Sequence, residues 1–189
     1  MTMSIEEYRK AVRSCAINKT DYLFHNEGAE HARIILSNIF MNAYQHVRMA
    51  SNSLTNTEIV GSDEYRNALM AFLNRKDTYL EIMLTNIPSE EQATKEGSIF
   101  AMLYYHPAYK EGRIKIKDAK GKSFKANSHQ RINFCTGDTM MYRIETDINK
   151  WMAVANFNDF SKTKILSEKF DSVFSQLAEL QLNNYFEHN

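Results

Sequence analysis

Apolar residues along the chain follow two rhythms, one repeating every three to four positions and one every second position, and the changes of rhythm divide it into elements. Ser4-Ile5-Glu6-Glu7 has the S-x-x-E form in which serine and glutamate satisfy each other's orphan amides at a helix start, so a first helix is predicted to about Ile17. A second is predicted from about Asn26 to Tyr44, where Ile35, Leu36, Ile39, Phe40 and Ala43 share one face. "HVRMASNSL" reads as a strand running into a polar loop. "SDEYRNALMAFLNRK" returns to the helical rhythm behind Ser62 or Asp63 as N-cap, with Tyr65, Leu69, Phe72 and Leu73 facing inward. In "TYLEIMLTN", Leu80, Ile82 and Leu84 alternate with Tyr79, Glu81 and Met83, the pattern of a strand. Strand, helix and strand in this order favour a parallel pair with a crossover helix.

Pro88 to about Tyr105 is predicted as a further helix, stopped by Pro107. "GRIKIKD" is a strand with Ile114 and Ile116 inward, and Ala119 to Ser128 is a basic loop. Two strands, "RINFCT" and "TMMYRIETD", flank a turn at Gly137-Asp138, glycine for a positive φ and aspartate for local capping. "KWMAVANFND" is another strand, and a C-terminal helix presents Leu166, Phe170, Val173, Phe174, Leu177 and Leu180 on one face. There is no internal repeat and no linker. The predicted architecture is α/β: a mixed β-sheet flanked by helices over residues 43-189, with residues 1-42 as an N-terminal helical extension packed on it.

With 189 residues and 43% hydrophobic content the chain can bury one substantial core. Cys15 and Cys135 lie far apart and form no CxxC, which fits free thiols in a reducing cytoplasm. "MTMSIEEYRK" carries charge where a secretion signal needs an apolar run, and no stretch approaches the roughly 20 apolar residues of a membrane span. A cytoplasmic protein without membrane contact is expected. The other histidines (His25, His31, His46, His106 and His188) show no ligand spacing, so neither a metal nor another cofactor is expected.

Lys plus Arg balances Asp plus Glu at 23 each, so an electrostatic argument must rest on placement. Between Lys110 and Arg131 lie Arg113, Lys115, Lys117, Lys120, Lys122 and Lys125, against only Glu111 and Asp118. Such a stripe can neutralise several phosphates without base specificity, which makes nucleic acid or another polyanion a candidate partner. Lysines along an exposed strand edge also prevent aggregation, and that competing role needs no ligand.

Three stretches together resemble the phospholipase D superfamily, as one half-unit of its fold. "HVRMASNSL...SDEYRNALMAFLNRKDTYLEIMLTN" is similar to that family's first strand, helix and second strand. "RINFCTGDTMMYRIETD" is similar to its hairpin, and "AVANFNDFSKTKILSEKFDSVFSQL" to its closing strand and helix. In that family a histidine attacks phosphorus, a lysine two residues on holds the phosphate, and a second copy of the motif supplies the acid. Counting back from Asp138 at the family spacing puts Arg131 in the histidine position and Asn133 in the lysine position. Counting forward puts Glu145 and Thr146 where a Gly-Ser pair belongs, and a glutamate there repels phosphate.

The resemblance therefore implies a catalytically degenerate module for binding or assembly. It works as a homodimer, with nucleic acid or a co-encoded protein partner such as a bacterial defence complex. Arg143 and Glu145 project from the same face as Arg131 and Asn133, so a polar cluster of these four is expected, as a binding site or as a structural ion pair in place of a lost centre. The alternative is a metal-independent phosphodiesterase or nuclease. It would use His129 as nucleophile, Arg131 and Arg143 as phosphate clamps, and Asp138 to orient the histidine. That register places six rather than four residues before Asp138 and needs a bulge in the strand.

Overall fold

The capping box at Ser4 forms in the computed structural model, which describes residues 3–125, 131–147 and 152–187. The Glu7 amide donates to Ser4 Oγ at 3.3 Å and the Ser4 amide donates to the Glu7 carboxylate at 2.8 Å, opening α1 (Ile5–Asn18). Next come β1 (Phe24–Glu27), α2 (Gly28–Asn42), β2 (His46–Ser51), α3 (Thr57–Val60), α4 (Asp63–Leu73) and β3 (Tyr79–Leu84). Three short helices, α5 (Glu90–Thr94), α6 (Ile99–Tyr105) and α7 (Pro107–Lys110), lead to β4 (Ile114–Asp118). The remainder comprises β5 (Phe124–Lys125), β6 (Arg131–Ile132), β7 (Phe134–Gly137), β8 (Met141–Asp147), β9 (Met152–Asn156), α8 (Phe160–Phe174), β10 (Ala178–Glu179) and α9 (Asn183–Phe186).

Eight strands form one mixed sheet in the order β1-β9-β8-β7-β2-β3-β4-β10. The predicted crossover is present, with β2, β3 and β4 parallel and the other neighbours antiparallel. Helices α2 and α4 cover one face, where Ile34, Ile35, Ile39, Phe40, Leu69, Phe72, Val47, Leu80, Ile82, Ile114 and Ile116 form the main core. Helix α8 covers the other with Leu166, Phe170 and Phe174 against Ala50, Met83, Phe134 and Tyr142. Because side chains alternate across a strand, each central strand serves both layers.

Several expectations need correction. Residues 24–27 are not the start of a helix: they are β1, with Phe24 and Asn26 buried and His25 and Glu27 exposed, paired antiparallel to β9. Residues 1–42 are thus not an all-helical extension, since they supply an edge strand and, through α2, much of the core. The helix predicted over 88–105 is broken between α5 and α6 around Gly97, whose φ of +71° lies in the left-handed region that glycine tolerates. The basic loop after β4 contains β5, which pairs with β6 in a separate two-stranded sheet, so "RINFCT" is two strands rather than one. In the Gly137-Asp138 turn it is Asp138 that has positive φ, at 48°. Gly137 serves close packing instead, because a Cβ there would stand 2.8 Å from Ile39 Cγ2.

Candidate functional site

At the carboxyl end of β2, a polar row crosses the sheet on the α2 side. Ser51 and Asn133 follow the paired residues Ala50 and Phe134 outward, Asn133 faces Glu145, and Glu145 and Asn26 are both in register with Ala153. The next row toward the core is Met49, Cys135, Arg143, Ala155 and Phe24. One position in this otherwise apolar row is therefore a guanidinium, 5% exposed. A cleft of about 230 Å³ opens over the two rows, lined at its polar end by Asn52, Asn133, Arg143 and Glu145 and elsewhere by Leu36, Met49, Leu54, Ile59, Val60 and Tyr65.

Three of the four residues of the expected cluster are joined directly. Asn133 Nδ2 donates to Glu145 Oε2 at 2.7 Å and Arg143 Nη1 to Glu145 Oε1 at 3.2 Å. Arg131 instead donates from Nη1 to Asn52 Oδ1 at 2.6 Å. Arg143 Nε is buried without a hydrogen-bond partner among the described residues. Burial pushes the Cys135 thiol up to about 12, outweighing the pull of the Arg143 guanidinium, and pushes the Tyr65 hydroxyl up as well. Neither lining group is poised as a nucleophile at neutral pH.

Asp138 is not part of this cleft. It follows the far end of β7 from Asn133, and its carboxylate accepts from the amides of Tyr44 at 2.6 Å and of Gln45 and His46 at 2.9 Å. A carboxylate so occupied locks the α2–β2 connection to the hairpin. His129 lies outside the described residues.

The basic stripe also divides. Arg113 is buried and donates from Nη1 to the carbonyls of Leu73 and Thr78 at 3.1 Å, with Glu111 as its ion-pair partner at 2.8 Å. Lys117 donates to the Phe174 carbonyl at 2.8 Å and lies over that ring. Both hold elements together, correcting their assignment to a binding surface. Lys115 lies in register with Glu81 on the α8 side of the sheet, where Arg48 reaches Asp171 at 2.7 Å. Lys120, Lys122 and Lys125 are exposed, on a loop whose Ala119 and Phe124 pack in the α8 layer. Gly121 donates to the Thr85 carbonyl, the Asn86 amide donates to the Asn52 carbonyl, and Lys125 pairs with Arg131. Their loop is thereby tied to Asn52, which lines the cleft.

Asn52, Ser53, Asn56, Asn86 and Asn26 were not anticipated. The legible signal was the polar run Ser51-Asn52-Ser53 directly after a parallel strand, because ligands of open α/β sheets bind outside the carboxyl ends of strands.

No protein-family model and no curated protein matches the chain. Solved structures do. TrmBL2, an archaeal chromatin protein described as showing a novel mode of DNA binding, superposes with a TM-score of 0.58 at 10% identity over 93% of this chain. The chain spans 61% of that protein's length. Nuc from Salmonella typhimurium, a phospholipase D family member, gives 0.55 at 17% identity over 86% of this chain and 99% of its own. NucT from Helicobacter pylori gives 0.54 at 12% identity over 85% and 99%. The chain has a phospholipase D-like fold, as the resemblance implies.

Proposed function

We propose that the chain is a non-catalytic phospholipase D-like module that binds single-stranded nucleic acid along the rim formed by Lys120, Lys122, Lys125 and Arg131. The observation that carries this reading is the division of labour at one sheet end. Exposed cations stand on the loop linked to Asn52, and in the cleft that Asn52 lines Glu145 occupies the place where phosphate chemistry would need a positive field. Asn133 and Arg143 are spent on that carboxylate, Arg131 bonds to Asn52, and an arginine has no lone pair with which to attack phosphorus. The DNA-binding neighbour supports the choice of ligand class. Assembly as a homodimer belongs to the proposal, since the resemblance implies two half-units facing each other.

Titration of a fluorescent single strand against salt tests the reading. Three rim lysines on three phosphates give a slope of log K against log salt near −2, which the triple Lys120→Ala, Lys122→Ala, Lys125→Ala variant loses, with affinity falling by about tenfold or more. Salt-independent binding, or equal binding by the variant, would sink the proposal. So would chelator-resistant cleavage that disappears in His129→Ala, which would establish the phosphodiesterase alternative. Sedimentation of the same preparation decides the dimer.

A further inference from the structure

The cleft behind the rim is too small and has the wrong charge to be a second phosphate site. Its volume of about 230 Å³ lies below the roughly 300–1,000 Å³ of ordinary small-molecule pockets, so it takes one ring system rather than a whole ligand. Its walls are apolar side chains, and its polar end offers both hydrogen-bond senses. Each Glu145 oxygen keeps a lone pair beyond the bond it accepts from Arg143 or Asn133, the Asn133 carbonyl accepts, and Asn133 Nδ2 keeps a second hydrogen to donate. An uncharged, flat group with an edge of donors and acceptors matches this lining, whereas a phosphate would be repelled by the Glu145 carboxylate. Exposed lysines stand outside it, on the loop linked to Asn52 through Asn86 and Arg131.

Building on the nucleic-acid reading above, we infer that the cleft receives a nucleobase while the rim lysines hold the adjoining phosphates. A base turned out of a single strand exposes its faces to Leu54, Val60 and Tyr65, and its hydrogen-bonding edge to Glu145, Asn133 and Arg143. The same chemistry is presented by a free nucleotide, so the source of the base is decided by experiment.

Three probes are titrated by anisotropy or competition: a single-stranded oligonucleotide of about 12 residues, its fully abasic counterpart, and nucleoside monophosphates, with inorganic phosphate as control. The abasic strand should bind at least tenfold more weakly with the same salt slope. Ser53→Leu, which fills the mouth of the cleft, and Glu145→Gln should each lower binding of the normal strand toward the abasic level and leave abasic binding unchanged. Thermal melting of both variants checks that they fold, and Ser53→Leu suffices if Glu145→Gln does not. Equal binding of normal and abasic strands overturns the base site and leaves the rim reading standing. Binding of mononucleotides without binding of either strand keeps the base site, assigns it to a free nucleotide and overturns the rim reading. Absence of binding by every probe overturns both.

Discussion

Three successive amides, those of Tyr44, Gln45 and His46, converge on the carboxylate of Asp138, whose own amide returns a bond to the His46 carbonyl at 2.7 Å. The residue holds φ at 48°, a conformation that aspartate and asparagine tolerate and alanine resists. Asp138→Ala should therefore cost about 2–4 kcal/mol, from charge-assisted bonds lost and left-handed backbone strained. Asp138→Asn should cost less, because it keeps the turn. Urea unfolding midpoints of the two variants check the order. Cys135 gives a second residue-scale expectation. Its thiol keeps its proton up to about 12 when folded, against an ordinary value of 9.0 when unfolded. A raised acid is bound to its proton more firmly in the native state, so its contribution is present below pH 9.0 and is lost as pH climbs toward about 12. Alkylation of native protein near neutral pH should label the half-buried Cys15 and spare Cys135, read by mass spectrometry of peptides. Labelling of Cys135 at the rate of Cys15 would contradict the burial described here.

Elements with a strong rhythm were legible in the sequence, and those set by neighbours were not. The alternation of Leu80, Ile82 and Leu84 with Tyr79, Glu81 and Met83 identifies β3, and Ser62 does cap α4, because local sequence alone dictates both. Strand β1 has four residues and is stabilised by pairing with β9 more than 100 positions away, so nothing in "FHNE" distinguishes it from the helix that follows. The cleft shows the same division. Asn133, Arg143 and Glu145 could be grouped by counting along a hairpin, while Asn52 and Asn26 reach the site only through the order of strands. A consequence follows for truncation. Removing residues 1–27 strips the edge strand and the helix whose Tyr8 and Val12 are buried, exposing the outer edge of β9. The product should aggregate or lose cooperative melting, and a monodisperse, sharply melting truncation would show that this region is dispensable.

On the scale of the whole molecule, the eight-stranded sheet separates tasks by face and by end. One face is closed by α2 and α4, the other by α8, and the polar row emerges where β2 and its parallel neighbours finish. The fold thus places the ends of β2, β7 and β8 beneath the cleft, and links the loop with the exposed lysines to it only through Asn52. Among the described residues no helix is long and apolar enough to cross a membrane.

The basic stripe has a last consequence for how a partner arrives. The chain is neutral overall, yet residues 110–131 carry eight basic and two acidic side chains, a net +6 that leaves −6 spread over everything else. Such a molecule is a dipole. For the strand partner proposed above, that field would turn the exposed lysine loop forward before contact, so that more of the encounters that succeed are already aligned. Orientation during diffusion, rather than strength of attachment, is then what the uneven placement of charge secures, and it fades as added salt shortens the reach of the field.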